Sequence, residues 1–146
     1  MPVRTGVKVE AEFPVPLEQA WRFFSDYAGM PNACDGVHDV TVTGSGIGMV
    51  RHVPVGDRFT DEELRVMDHE NHRIVYGIVA KSPDVAMEDY EAEMKLTPRG
   101  EGACGFAWES RFAVADDLDA EAVRANLRDA YESALNGFRK ALSAGA

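Results

Sequence analysis

The sequence predicts an α+β fold, an antiparallel sheet with its helices gathered on one face. Three observations carry this. Between residues 37 and 112 the chain breaks into short runs that alternate apolar and polar residues between turn-forming residues. Residues 119–142 carry an apolar stripe at helical spacing. A proline-bounded amphipathic stretch after the first strand supplies short helices.

In chain order, "VKVEAEF" (7–13) sets Val7, Val9, Ala11 and Phe13 against charged residues, the pattern of a half-buried strand. Pro14 and Pro16 end it, and "PLEQAWRFFSDY" follows with Leu17, Ala20, Trp21 and Phe24 on one helical face. Gly29 and Pro31 then leave room only for a second short helix or turn over 26–33. "VHDVTVTG" (37–44) reads as a strand.

Three hairpins come next. Gly56-Asp57 suits a two-residue type II′ turn, which sets Val55 opposite Arg58 and therefore Arg51 opposite Glu62. Pro54 then faces Phe59 at a pair that needs no ladder hydrogen bond, so its missing N–H costs nothing. A second turn centred on Glu70 places Leu64 opposite Tyr76, and a third centred on Gly100 places Met94 opposite Phe106 and Ala92 opposite Trp108. The final helix runs from Asp119 to Leu142. Its stripe is Val123, Leu127, Ala130, Tyr131, Ala134, Leu135, Phe138 and Leu142.

The 146 residues, 45% of them hydrophobic, suit one domain spanning 1–146. A formal net charge of −10 argues against nucleic acid, whose phosphates demand clustered Lys and Arg, and against anionic membrane surfaces. The N-terminal stretch has no signal-peptide core and no run is long and apolar enough for membrane insertion, so a cytoplasmic, reduced protein is expected. Cys34 and Cys104 lack metal-knuckle spacing, and His38, His52, His69 and His72 show no ligand pattern, so neither a metal nor a cofactor is expected.

The order of elements, with "AWRFFSDYAGMPN" (20–32), "GIGMVRHV" (46–53), "DEELRVMD" (61–68), "IVYGI" (74–78), "DYEAEMKLTP" (89–98) and "WESRF" (108–112), resembles the START/polyketide cyclase-dehydrase (SRPBCC) superfamily. The resemblance covers nearly the whole chain. It implies the helix-grip fold: a seven-stranded antiparallel sheet wrapped around a long C-terminal helix, two short helices after the first strand, and an internal cavity for an apolar ligand. Relatives often carry Trp-x-Pro after the first helices. Here the stretch is Ala33-Cys34-Asp35, which implies a wider or differently lined entrance, or ordinary loop drift.

Side-chain parity places Met49, Arg51, Val53, Thr60, Glu62, Leu64, Ile74, Tyr76, Ile78, Tyr90, Ala92, Met94, Phe106, Trp108 and Ser110 on the inner face. Arg51 and Glu62 thus stand side by side where an unpaired charge would be intolerable. Two readings stand: a structural ion pair that edges the pocket, or residues that act on a ligand, Arg51 holding a carbonyl or enolate oxygen and Glu62 orienting it or serving as base. Tyr76, Tyr90, Trp108 and Tyr131 bring aromatic faces with polar tips, suited to pocket walls or to plain core packing. Tyr76 or Tyr131 could supply a proton. Cys34 is expected at the pocket mouth as the accessible thiol, and Cys104 inside. The expected function is binding of a polyketide- or lipid-like small molecule, with its cyclisation or dehydration as the accompanying reaction. The alternative is a non-catalytic carrier of a hydrophobic metabolite.

Overall fold

A computed structural model describes residues 2–144. Strand β1 (Val3–Phe13) leads into helix α1 (Leu17–Phe24) and a 3-10 turn (Met30–Ala33). Strands β2 (Thr41–Thr43), β3 (Val50–Val55), β4 (Arg58–Asp68), β5 (Arg73–Lys81), β6 (Glu88–Pro98) and β7 (Cys104–Val114) follow, and helix α2 (Ala120–Ala144) ends the chain. One seven-stranded sheet forms in the order β1-β7-β6-β5-β4-β3-β2, all neighbours antiparallel. It curls around α2, the helix-grip arrangement.

Asp119 stops the chain ahead of α2 and caps it. Its Oδ1 accepts the backbone N–H groups of Glu121 and Ala122, two donors the helix itself cannot satisfy. The C-terminal half of α2 buries Tyr131, Ala134, Leu135, Phe138 and Leu142 against the sheet. The expected stripe fails at its N-terminal end, where Ala130 is exposed and Val123 and Leu127 are only half-buried. That half of the helix roofs a cavity instead of a packed core. A packed cluster of rings lies further along, where Phe138 sets its ring edge-on to Phe24 at 5.1 Å and Phe24 stacks on Phe106 at 4.8 Å.

The β3–β4 hairpin has the expected register throughout, with Arg51 opposite Glu62 and Gly56 at φ 62° in its turn. The other two differ in detail. In β4–β5 the turn centres between Glu70 and Asn71, held by Asp68 Oδ1 accepting both their N–H groups. A bulge at Arg65 takes up the offset, so Leu64 still faces Tyr76. In β6–β7 Met94 faces Trp108 and Ala92 faces Ser110, in place of the expected Phe106 and Trp108. The loop closes around Arg99–Ala103, where the Arg99 N–H donates to the Ala103 carbonyl at 3.0 Å. Its centre is therefore Glu101. Moving a hairpin's centre by one residue slides each pairing by two, which leaves every side chain on its face.

The strand expected over 37–44 shrinks to Thr41–Thr43, preceded by a single bridge between Val37 and Val55. Asp39 adopts φ 52°, which breaks the extended run. The segment is an exposed edge strand with little apolar face to hold it in the sheet.

Candidate functional site: a cavity with a paired charge at one end

Arg51 is 2% exposed. Its Nε donates to Glu62 Oε1 at 2.9 Å, and Nη2 lies 2.8 Å from the same oxygen. Nη1 donates to the backbone carbonyl of Tyr27 at 2.9 Å. The guanidinium carbon stands 3.9 Å from the centre of the Tyr27 ring and 5.0 Å from that of Tyr76, so two aromatic faces also bear on the cation. Glu62 Oε2 accepts the Thr60 hydroxyl at 2.8 Å, and the Tyr27 hydroxyl donates to the Glu62 carbonyl at 3.0 Å. Burial works against the Arg51 charge, but Glu62 and the tyrosine rings outweigh it and hold its pKa above the ordinary value. Burial also pushes the Tyr27 phenol up, against the pull of Arg51.

Beside this pair, β5, β6, β7 and α2 each contribute one member of an aromatic wall. The Trp108 indole N–H donates to the Tyr76 hydroxyl at 3.1 Å. The Tyr76 hydroxyl lies 3.4 Å from that of Tyr90, which in turn bonds the hydroxyl of Tyr131. Trp108 and Tyr131 stack face to face, centroids 3.7 Å apart and 16° from parallel. Burial drives the pKa of Tyr76, Tyr90 and Tyr131 upward, so all three phenols stay protonated at neutral pH. Among the described residues, no buried side-chain nitrogen or oxygen lacks a hydrogen-bond partner.

Between the sheet and the middle of α2 lies a cavity of about 350 Å³. Arg51, Glu62, Tyr76, Tyr90, Trp108, Tyr131 and Cys34, the residues singled out from the sequence, all line it. Met30, Met87, Met94 and Phe138 complete much of its apolar surface. Sequence reasoning missed Tyr27, which brings both a carbonyl and a ring to Arg51 from the turn after α1. The only available signal was an aromatic residue in the loop "FFSDYAGM" (23–30). The histidines stay outside. His52 pairs with Asp61 away from the cavity, while His69 accepts the Trp21 indole N–H at 3.1 Å near the β4–β5 turn. Among the described residues, no group of three His, Cys, Asp or Glu stands close enough to hold a metal ion.

The mouth is shaped where Ala33-Cys34-Asp35 meets α2 at Gly137. A Cβ there would lie 2.1 Å from the Ala33 carbonyl oxygen, so only glycine permits this approach. Cys34 is half-buried on the lip, and burial pushes its thiol up to about 11. Cys104 is fully buried. Because the thiolate is the reactive form, iodoacetamide should label Cys34 slowly at neutral pH. The rate should climb about tenfold per pH unit toward about 11. Peptide mapping should find Cys104 unlabelled in the folded protein, and a cavity ligand should slow the labelling of Cys34. Labelling of Cys104 first would contradict this placement.

The family model described as "Polyketide cyclase / dehydrase and lipid transport" matches residues 4–143. None of the curated proteins compared matches the sequence. Among solved structures, an uncharacterised protein from Bacillus thuringiensis superposes with a TM-score of 0.82 at 17% identity, over 94% of this chain and 98% of that one. The protein XoxI from Bacillus cereus also gives 0.82, at 16% identity over 94% and 95%. Norcoclaurine synthase from Thalictrum flavum, solved with dopamine and hydroxybenzaldehyde, gives 0.75 at 15% identity over 97% and 87%. Likeness at these identities is likeness of fold.

Proposed function

The chain belongs to the polyketide cyclase/dehydrase and lipid-transport family, and from that premise we propose that it binds an apolar or aromatic small molecule, polyketide- or lipid-like, in the cavity beneath α2. The observation that carries the proposal is the cavity itself: about 350 Å³, walled largely by aromatic and methionine side chains, with a paired charge and a bonded set of hydroxyls and an indole N–H in its lining. A protein of the same fold, norcoclaurine synthase, was solved holding two aromatic small molecules.

If the bound molecule reacts, cyclisation or dehydration of an oxygenated chain is the chemistry these residues support. Three of the five guanidinium N–H groups of Arg51 are engaged by Glu62 and Tyr27, leaving two to stabilise a carbonyl or enolate oxygen. Tyr76, protonated, beside Arg51 and in the cavity wall, is the supported proton donor. Glu62 has both oxygens occupied, so its supported role is to hold Arg51 in place. One observation favours the carrier reading. No histidine or lysine lines the cavity, Glu62 is already paired, and Asp35 stands exposed at the mouth, so no free base faces the ligand in the interior.

Fluorescence of Trp108, read in a Trp21→Phe background, tests the proposal. Titration with flavonoids, neutral lipids and polyketide mimics should quench or shift the emission with dissociation constants in the micromolar range, about −8 kcal/mol. A diverse panel without response would overturn it. Mass spectrometry of the released ligand then separates the readings, since an enzyme returns an altered molecule and a carrier returns it unchanged.

A further inference from the structure

The charges around the cavity specify the electrical character of its occupant. Three charged residues line it: Arg51, Glu62 and Asp35. Arg51 and Glu62 neutralise each other at 2.8 Å, so the pair carries no net charge to offer a second counter-ion. Oxygen Oε1 of Glu62 takes both bonds from Arg51, and Oε2 takes the Thr60 hydroxyl. Asp35 sits exposed at the mouth and adds a negative charge on the way in. The remaining polar groups are uncharged: the Tyr76, Tyr90 and Tyr131 hydroxyls and the Trp108 indole N–H, bonded to one another, with the Thr60 and Ser133 hydroxyls and the Cys34 thiol.

We infer that the cavity selects electrically neutral ligands bearing a hydrogen-bond-accepting oxygen, and rejects carboxylates such as fatty acids as well as ammonium compounds. This rests on the binding function proposed above and narrows its ligand class. A carboxylate entering the cavity meets no free cation, since the Arg51 charge is already cancelled, and it lies against Glu62. Its desolvation goes uncompensated. An ammonium group finds Glu62 occupied by Arg51 and is repelled by that cation, while Asp35, exposed to water at the mouth, offers it only a screened partner. A ketone or quinone oxygen needs only a hydrogen bond, and Arg51 retains two N–H groups for one. The neutral pair thus does what a lone arginine could not. It supplies donors to a carbonyl without drawing in an anion.

Three probes of nearly equal size separate the cases: 2-acetonaphthone, 2-naphthoate and 2-naphthylmethylammonium, each titrated calorimetrically into the whole protein at neutral pH. The ketone should bind at least about tenfold tighter than either ion. In Glu62→Gln the Arg51 charge is uncovered, and the naphthoate should gain at least about tenfold relative to the ketone. Binding of naphthoate or the ammonium compound to the wild-type protein as tightly as the ketone would overturn this inference while leaving the cavity's binding function standing. Absence of binding by all three would overturn the binding function and the inference with it. The wild-type ranking decides by itself if Glu62→Gln does not fold.

Discussion

Removing either member of the Arg51–Glu62 pair is expected to destabilise the protein more than removing both. Arg51 is 2% exposed, and the Glu62 side chain 15%. Glu62→Gln leaves a buried cation with only the Tyr27 carbonyl, a neutral amide and two ring faces for company. Arg51→Met leaves a carboxylate with Thr60 alone, though closer to water. Breaking a buried pair in this way costs about 3–5 kcal/mol, with the stranded arginine at the upper end. The double change Arg51→Met/Glu62→Gln removes both charges, fills the guanidinium's space with a thioether chain, and should recover more than half of the larger single loss. Urea melts of the four proteins measure this. Strictly additive losses would show that the two charges do not depend on each other. Ligand binding supplies the second readout, because the double variant should fold well and still lose affinity for a carbonyl-bearing ligand.

Phe138→Ala should lose a comparable amount, about 3–5 kcal/mol, by a different cause. Phe138 is 1% exposed and its ring meets those of Phe23, Phe24, Phe106 and Trp108. It therefore joins α1, the sheet and α2 at one point. Its outer side lines the cavity, so truncation opens space directly onto the ligand. Alongside the fall in denaturant midpoint, the variant should accept bulkier ligands than the wild-type protein does. A stability loss under about 1 kcal/mol would mean the surrounding rings collapse into the space, the case in which the cavity term of such truncations vanishes.

How far the sequence reaches is clearest in the hairpins. The two-residue turn Gly56-Asp57 leaves one register open to its strands, so the partnership of Arg51 with Glu62 was legible without any structure. The β6–β7 turn is longer and compatible with more than one centre, and its register was misplaced by two residues. The inner face survived that error, because a slip of two preserves parity, and so Tyr90, Met94 and Trp108 remained inside. The expected strand over 37–44 failed for a related reason. Alternation needs a buried face to enforce it, and this edge has none.

What the chain determined by itself is therefore which side chains face inward and which strand neighbours they have, because a period of two and a tight turn are local properties. What only the tertiary structure decided is who completes each group across long separations. Tyr27 closes over Arg51 from 24 positions away, the Tyr90 and Tyr131 hydroxyls meet across 41, and Gly137 lets α2 touch the turn at Ala33. These contacts depend on how α1 and α2 settle onto the curled sheet. No local period encodes that placement, because it results from packing one set of buried aromatic rings against another. The stretch of α2 that the sequence marked as core, around Leu127 and Ala130, became a cavity roof for the same reason. An apolar stripe states that a surface avoids water, and only the packed fold determines whether side chains or a ligand will cover it.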